Sequence, residues 1–218
     1  MLHCTLPLAF LSNWPDLVAA VGLFIIVKLV DSSTVKGWLG KTFVIRTALA
    51  KLDSTLYHHF RDLYLPHPDG KGTTKIDHVI VSPFGIFVIE TKNHRGWIYG
   101  SEKQRQWTER INQHNGTFQN PLRQSDLHVH ALVNFLGLPA NRFHPLVFFI
   151  GGAKFRTPMP DNVLNRGLLP WIENQSRRLL GPAAQQLAVT RLNELKHTTK
   201  EQHASRHQRD ELKIGNFG

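Results

Sequence analysis

The sequence has a single cysteine, Cys4, among its 218 residues. One thiol cannot form an internal disulfide, and it cannot supply a cysteine-rich zinc site. The sequence also contains no Walker A loop, no dinucleotide-binding glycine motif and no nucleophile elbow. It therefore gives no sign of a disulfide-rich protein, a P-loop nucleotide-binding protein or a serine hydrolase.

Acidic residues are scarce relative to basic ones. The chain has 16 Asp and Glu against 26 Lys and Arg, which gives a net charge of +10 and a pI near 10.0. Residues 1–40 sum to zero, whereas residues 41–140 carry +4 and residues 141–218 carry +6. This excess fits a polyanionic partner. We favour nucleic acid, and the alternatives are ordinary solubility charge and affinity for anionic lipid.

Long apolar runs are also rare, and the longest is Leu17–Val27. A transmembrane helix needs about 20 apolar residues, so this run is long enough only if Asp16 and Lys28 lie at the two interfaces. We favour a membrane anchor over a buried helix of a soluble domain. Basic residues follow the run and none precede it, which predicts a cytoplasmic domain. The alternative is a soluble cytoplasmic protein.

Two short apolar runs, Val79–Val81 and Ile86–Ile89, flank the sequence Ser82–Gly85. Their β-branched and aromatic residues predict two strands. Pro and Gly at the second and fourth positions of the intervening stretch predict a turn. The second run is apolar on both faces and should be a central, fully buried strand.

Charged residues end this second strand. Glu90 and Lys92 are two apart, so their side chains should share one face. The simplest interpretation is a structural ion pair. A two-residue turn would also place Asp77 opposite Glu90 and create a patch able to hold a hard divalent cation. A three-residue turn with a bulge would instead place Asp77 opposite Thr91.

An ordered set of motifs surrounds these residues. The stretch from Gly72 to Asn93 reads G-T-T-K-I-D-H-V-I-V-S-P-F-G-I-F-V-I-E-T-K-N, and it is followed by G-W-I-Y-G-S, Q-x-x-W and F-Q-N-P-L-R-Q. Together these motifs resemble the NERD (nuclease-related) domain of the restriction-endonuclease-like PD-(D/E)XK group. The resemblance runs from about residue 37 to about residue 155.

The resemblance implies an α/β fold with a restriction-endonuclease-like αβββαβ core, whose mixed sheet is flanked by helices. It implies that Asp77, Glu90 and Lys92 are catalytic and that Gln124 supports them. The Asp77 and Glu90 carboxylates and the Thr91 carbonyl would hold Mg²⁺ or Mn²⁺. The implied activity is metal-dependent hydrolysis of phosphodiester bonds in nucleic acid. We favour DNA as the substrate, and RNA is the alternative.

One position departs from the family pattern. The first helix of the family typically begins with G-x-x-G-E, but here the matching stretch ends in Lys41. A cation there removes a possible metal ligand and would repel a metal ion. The alternative function is therefore a catalytically degenerate nucleic-acid-binding module on the same fold.

Three segments follow from this interpretation. We predict an N-terminal apolar helix over residues 1–36, a nuclease-like domain over 37–180, and a C-terminal helix with a basic polar tail over 181–218. Within the domain, Asn115-Gly116 indicates a hairpin turn, and Asn120-Pro121 indicates a helix start. His128 and His130 are two apart on this helix and should be poor co-ligands. The aromatic residues that follow the catalytic motif either belong to the core or stack on unpaired bases: Trp97, Tyr99, Trp107 and Phe118.

Overall fold

The structure is a computed structural model, and it describes residues 45, 47–67, 70 and 72–196. The apolar N-terminal segment, Lys41 and the polar tail beyond residue 196 lie outside the described residues. Among those that are described, no helix is long and apolar enough to span a membrane.

The described elements begin with helical residues 45 and 47–49. They continue as β1 (His58–Pro66), β2 (Thr73–Ser82), β3 (Gly85–Lys92), β4 (Gly96–Tyr99), β5 (Gln106–Ile111), β6 (His114–Gln119), α1 (Pro121–Leu136), a 3₁₀ turn (Ala140–Arg142), β7 (Phe143–Phe149), β8 (Ala153–Phe155), β9 (Val163–Leu164), α2 (Leu168–Glu173) and α3 (182–196).

Two sheets organise these strands. The main sheet has the order β1-β2-β3-β7-β9, and the small sheet has the order β6-β5-β4-β8. In the main sheet β1, β2 and β3 are antiparallel, whereas β7 and β9 run parallel to their neighbours. The result is a mixed α/β fold, as predicted. The strand β3 is central and buried except at its last two residues, which confirms the prediction for this run.

The main sheet is covered on both faces. One face packs against α1 and α3 through side chains such as Val79, Val88 and Leu132. The other face packs against residues 45–52 and α2, with Phe87 and Ile89 at its centre. The inner face of the small sheet packs on β7 and β9 through a third cluster that contains Trp107. Burial of apolar side chains on all of these faces stabilises the fold.

The β2–β3 turn sets the register of the site. Ser82 pairs with Gly85 and His78 pairs with Ile89, so the turn has two residues, Pro83 and Phe84. The Ser82 hydroxyl accepts a hydrogen bond from Phe84 N and donates one to Gly85 O, both at 3.1 Å. One step beyond the last pair, Asp77 is in register with Glu90. This confirms the two-residue turn over the bulged alternative.

The small sheet corrects one prediction. Asn115 and Gly116 do not form the hairpin turn, because they lie inside β6 and pair with Arg110 and Glu109. The chain turns between Ile111 and His114, with Asn112 at a φ of 54°. A turn there pairs Trp107 with Phe118 and leaves the indole of Trp107 fully buried. The need to bury these rings outweighs the local turn preference of Asn-Gly.

Candidate active site

The carboxylate of Asp77 is fixed by the neighbouring strand. Its Oδ2 accepts hydrogen bonds from Thr91 N at 3.1 Å and from Thr91 Oγ1 at 2.6 Å. Its Oδ1 lies 3.7 Å from the ammonium of Lys75, which is too long for a hydrogen bond. One oxygen of Asp77 is therefore held against β3 and the other is not committed to a hydrogen bond.

Glu90 and Lys92 share a face at the end of β3, as predicted. Lys92 Nζ lies 2.8 Å from Glu90 Oε1 and donates a hydrogen bond of 2.7 Å to Gln124 Oε1. The Glu90 side chain is buried, and Lys92 is partly buried. The structure thus brings Glu90, Lys92 and Gln124 into one hydrogen-bonded chain, with Asp77 on the adjacent strand.

The position of Gln124 depends on the start of α1. Asn120 caps this helix, since its side chain accepts a hydrogen bond from Leu122 N at 3.0 Å. Its amide nitrogen also donates to the carbonyl oxygens of Ser101, Glu102 and Gln104 at 3.2, 3.1 and 2.7 Å. Asn120 is fully buried. This network fixes the first turn of α1, which carries Gln124 to Lys92.

A further histidine belongs to this cluster. His128 is fully buried, and its Nδ1 lies 3.4 Å from Glu90 Oε2. Within the described part of the chain, Glu90 Oε2, Ser125 Oγ and both ring nitrogens of His128 are buried without a hydrogen-bond partner. Such unsatisfied atoms are rare in native proteins and call for an explanation. Sequence reasoning missed His128, although its spacing of four residues from Gln124 places both on one helix face.

Burial changes the acid–base properties of this pair. It raises the pKa of Glu90, and the Lys92 ammonium opposes that rise in part. Burial also lowers the pKa of His128 to about 4. The imidazole is therefore neutral at pH 7, with one nitrogen able to donate and the other able to accept. A neutral ring can contact the Glu90 carboxyl without placing a second positive charge beside Lys92.

The remaining histidines near the motif have other contacts. His94 lies 3.2 Å from Glu109 and stacks on Phe118, with ring centroids 4.0 Å apart. His78 lies 2.9 Å from His59, ring nitrogen to ring nitrogen. It alternates with Asp77 along β2, so it points to the opposite face of the sheet. Among the residues that the structure describes, neither His78 nor His94 forms a hydrogen bond or an ion pair with Glu90 or Lys92.

The oxygens of the site suit a hard cation. Mg²⁺ is typically bound by one or two carboxylates together with water and substrate phosphate. Asp77 Oδ1 and Glu90 Oε2 are the two carboxylate oxygens that make no hydrogen bond. The described residues contain no group of three or more His, Cys, Asp or Glu side chains arranged to hold a metal. Two carboxylate oxygens are fewer than the six ligands of an octahedral Mg²⁺, so an ion at this site would also need water and substrate oxygens.

Comparison with known proteins decides the family. The sequence matches the family model of the nuclease-related domain (NERD) over residues 36–150, just over half of the 218-residue chain. The chain belongs to the NERD family. This confirms the resemblance deduced from the motifs, and NERD membership makes the function nuclease-related.

One curated relative matches the NERD region in detail. An uncharacterized protein of Bacillus anthracis is 38% identical over 116 residues, which are 51% of this chain and 53% of that protein. The chain therefore spans about half the length of the curated relative it matches. No solved structure matches the chain significantly.

Proposed function

We propose that this NERD domain is a metal-dependent nuclease that hydrolyses phosphodiester bonds in nucleic acid, DNA in preference to RNA. The observation that carries the proposal is the chain of contacts from Glu90 through Lys92 to Gln124, with the Asp77 carboxylate in register beside it. A pure binding module has no evident need for two carboxylates where a phosphate must approach, because like charges repel.

Each residue has a role in this proposal. The Asp77 and Glu90 carboxylates and the Thr91 carbonyl would hold Mg²⁺ or Mn²⁺. A bound ion of this kind lowers the pKa of water and offsets negative charge on phosphate. Lys92 supplies a fixed positive charge where the attacked phosphate becomes more negative. Gln124 holds the Lys92 ammonium in place, so that little reorganisation is needed during the reaction.

The bond changes are those of hydrolysis. A water oxygen attacks phosphorus, the bond from phosphorus to the leaving sugar oxygen breaks, and that oxygen receives a proton. The ammonium of Lys92 is held by the Glu90 carboxylate and the Gln124 amide. From this fixed position it can orient the water or contact a phosphate oxygen. The net charge of +10 favours a polyanionic substrate.

The arrangement of elements supports a finer fold assignment. Helical residues before β1 are followed by three antiparallel strands, by α1 and by the parallel strand β7. We propose that this is the αβββαβ core of restriction-endonuclease-like proteins, with β4, β5 and β6 of the small sheet inserted between β3 and α1. We also propose that residues 1–36 anchor the chain in a membrane with the domain in the cytoplasm. Cell fractionation tests the anchor. The full chain should be found in the membrane fraction, and a chain of residues 37–218 should be found in the soluble fraction.

A second candidate function is a degenerate nucleic-acid-binding module. Lys41 stands where the family has an acid, and the described residues contain no group of three or more His, Cys, Asp or Glu side chains arranged to hold a metal. A weak metal site would follow if the missing acid were essential. This candidate predicts nucleic-acid binding without cleavage, so one assay separates the two functions.

The test is a cleavage assay with the full 218-residue chain. Labelled single- and double-stranded DNA and RNA are incubated with Mg²⁺, Mn²⁺ or EDTA. Asp77→Ala and Lys92→Ala are compared with Asp126→Ala and Lys103→Ala, which change exposed residues of the same charge. Cleavage that needs metal and is lost only in the first two variants supports the nuclease. Binding without cleavage under every condition supports the module.

A further inference from the structure

The outward face of the small sheet combines an aromatic ring with positive charge. Trp97 on β4 is 40% exposed, the largest side chain among the exposed hydrophobic residues that the structure describes. It pairs with Arg110 on β5 and with Lys154 on β8, so these side chains share its face. Arg156, just after β8, lies beside the same ring. We call these four residues the basic face.

Two arginines contact the indole of Trp97. The guanidinium carbon of Arg156 is 4.3 Å from the ring centroid and that of Arg110 is 5.9 Å from it, within the range of cation–π contacts. A guanidinium stacked on a ring keeps its N–H donors in its own plane. Arg156 can therefore contact a phosphate while its guanidinium stays over the indole.

No acidic side chain occupies an outward position on the strands of this face. The strand pairing shows which residues of β5 and β6 face the same way as Trp97. These residues are uncharged, apart from Arg110. The acid on β5, Glu109, points to the other side, where it accepts a hydrogen bond from Arg95 N at 2.6 Å and lies 3.2 Å from His94. The charge of the basic face is thus not neutralised from its own sheet.

Core packing does not explain the exposed ring. The other tryptophan of this sheet, Trp107, is fully buried and packs against Phe149, with ring centroids 6.3 Å apart. The small sheet thus has its aromatic core on the inner face. A depression continues the outer face beyond Trp97, and its lining includes Tyr99, Gln106 and Thr108, whose side chains carry groups capable of hydrogen bonding.

We propose that the basic face binds an unpaired segment of nucleic acid, with a base stacked at Trp97 and the flanking phosphates on Arg110, Lys154 and Arg156. This inference rests on the proposed function, because it names the substrate class of the same domain. Stacking on an aromatic side chain needs a base whose face is free, as in single strands. Amide and hydroxyl groups in the adjoining depression can bond to neighbouring base edges or sugars.

The distance to the candidate active site is compatible with one bound strand. Trp97 follows Lys92 by five residues, which span at most about 18 Å when fully extended. About five stacked nucleotides at 3.4 Å each cover that length. A segment of about five nucleotides is therefore long enough to cover the straight-line separation of Trp97 and Lys92.

An anionic membrane surface is the competing occupant, since Trp, Lys and Arg also suit lipid headgroups. The face has a single exposed tryptophan, and the side chains beside it, such as Gln106 and Thr108, carry hydrogen-bonding groups. Insertion into a bilayer gains from apolar area, and Trp97 is the one large hydrophobic side chain exposed on this face among the described residues. The chemistry therefore favours nucleic acid.

Binding is measured by fluorescence anisotropy with the full chain in EDTA, where no metal-dependent cleavage occurs. The ligands are a labelled 20-nucleotide deoxythymidine strand, the matching blunt duplex and an abasic strand of the same length. The variants are Trp97→Ala, Trp97→Phe and the double variant Arg110→Gln/Arg156→Gln. The double variant Arg177→Gln/Arg178→Gln removes two exposed arginines elsewhere and is the charge-matched control.

We expect Trp97→Ala to weaken binding of the thymidine strand about tenfold, and Trp97→Phe to retain most of it. Binding of the abasic strand should not change in Trp97→Ala, because that strand has no base to stack. The Arg110→Gln/Arg156→Gln variant should weaken binding of both strands and reduce the salt dependence, and the control should not.

Equal binding of the thymidine strand by wild type and Trp97→Ala would overturn the proposal. Cosedimentation with vesicles that contain phosphatidylserine tests the competing occupant. If Trp97→Ala weakens binding to these vesicles but not to the thymidine strand, the face belongs to a membrane and the proposal fails. If Trp97→Ala changes neither cleavage nor binding, the proposed nuclease function stands and only the proposal for the basic face fails. If binding depends on Trp97 but no metal supports cleavage, the proposed nuclease function fails and the proposal for the basic face stands.

Discussion

His128 Nδ1 lies 3.4 Å from Glu90 Oε2, and both side chains are buried. The ring nitrogens of His128 have no hydrogen-bond partner among the described residues. A buried polar group in that state costs about 1–3 kcal/mol. If the position served packing alone, an apolar side chain of similar volume would stabilise the fold better. We therefore expect that His128 serves to position Glu90 for function.

Replacing this ring should separate stability from activity. His128→Leu removes two unsatisfied nitrogens and nearly preserves volume, so we expect its free energy of unfolding to stay within about 1 kcal/mol of wild type. Its cleavage rate should fall at least about tenfold, because Glu90 loses a neighbour that fixes its carboxyl group. Urea denaturation and the cleavage assay measure the two effects, and His130→Leu, exposed on the same helix, should change neither. A large loss of stability in His128→Leu would mean that the ring is structural.

The hydrogen bond from Lys92 to Gln124 can be tested in the same assay. Gln124→Ala leaves Lys92 paired with Glu90 but removes the acceptor at 2.7 Å, so the ammonium becomes more mobile. We expect cleavage to fall about tenfold, less than the 10²–10³ expected when a group that stabilises the transition state is removed, as in Lys92→Ala. Gln124→Glu retains an acceptor and should keep most of the activity. Equal activities of Gln124→Ala and wild type would exclude a positioning role.

The sequence predicted the hairpin of β2 and β3 because its signals are local. Pro83 and Gly85 restrict the turn, and the two-residue turn fixes which residues face each other. From that register alone, Asp77 lies opposite Glu90, and Lys92 shares the face of Glu90. The same locality explains the correct prediction of α1, which begins at Asn120-Pro121 and ends at Gly137.

Contacts between distant residues could not be predicted in this way. His128 meets Glu90 across 38 positions, and helical periodicity predicts only that it is buried. The parallel pairing of β4 with β8 joins Trp97 to Lys154, and no local signal fixes it. At Asn115-Gly116 the local signal was misleading, because the register that buries Trp107 places this pair inside a strand. Tertiary packing decided each of these features.

The turn at Gly85 should tolerate no side chain. Its φ is 131°, and an added Cβ would lie 2.8 Å from the His144 ring and 2.9 Å from Arg142 O. Gly85→Ala should therefore lower the free energy of unfolding by about 3 kcal/mol. Gly116→Ala is the matched control, since a Cβ there meets nothing within 4 Å, and it should be neutral or slightly stabilising. Urea denaturation of both variants decides, and equal effects would contradict the steric argument.

Metal binding can be measured without any substrate. If Asp77 and Glu90 hold Mn²⁺, free metal at about 100 times its Kd should raise the free energy of unfolding by about 2.7 kcal/mol. The Tm should then rise by several degrees in wild type and not in Asp77→Asn, which lacks the negative charge. Asp126→Asn, at an exposed position of α1, should respond like wild type. A shift that persists in Asp77→Asn would place the metal elsewhere.

Acid should destabilise the domain through its buried histidines. Burial lowers the pKa of His78 from 6.5 to about 4, so between these pH values the unfolded chain binds a proton that the folded chain does not. Stability is therefore highest above about pH 6.5 and falls towards pH 4, by about 3 kcal/mol for His78 alone. Glu90 acts in the opposite direction, since burial raises its pKa and folding favours its protonated form.

In urea denaturation with EDTA, His78→Gln should lose clearly less stability than wild type between pH 7 and 4.5. The exposed control His130→Gln should follow wild type, and parallel curves for all three proteins would show that His78 is not the group responsible.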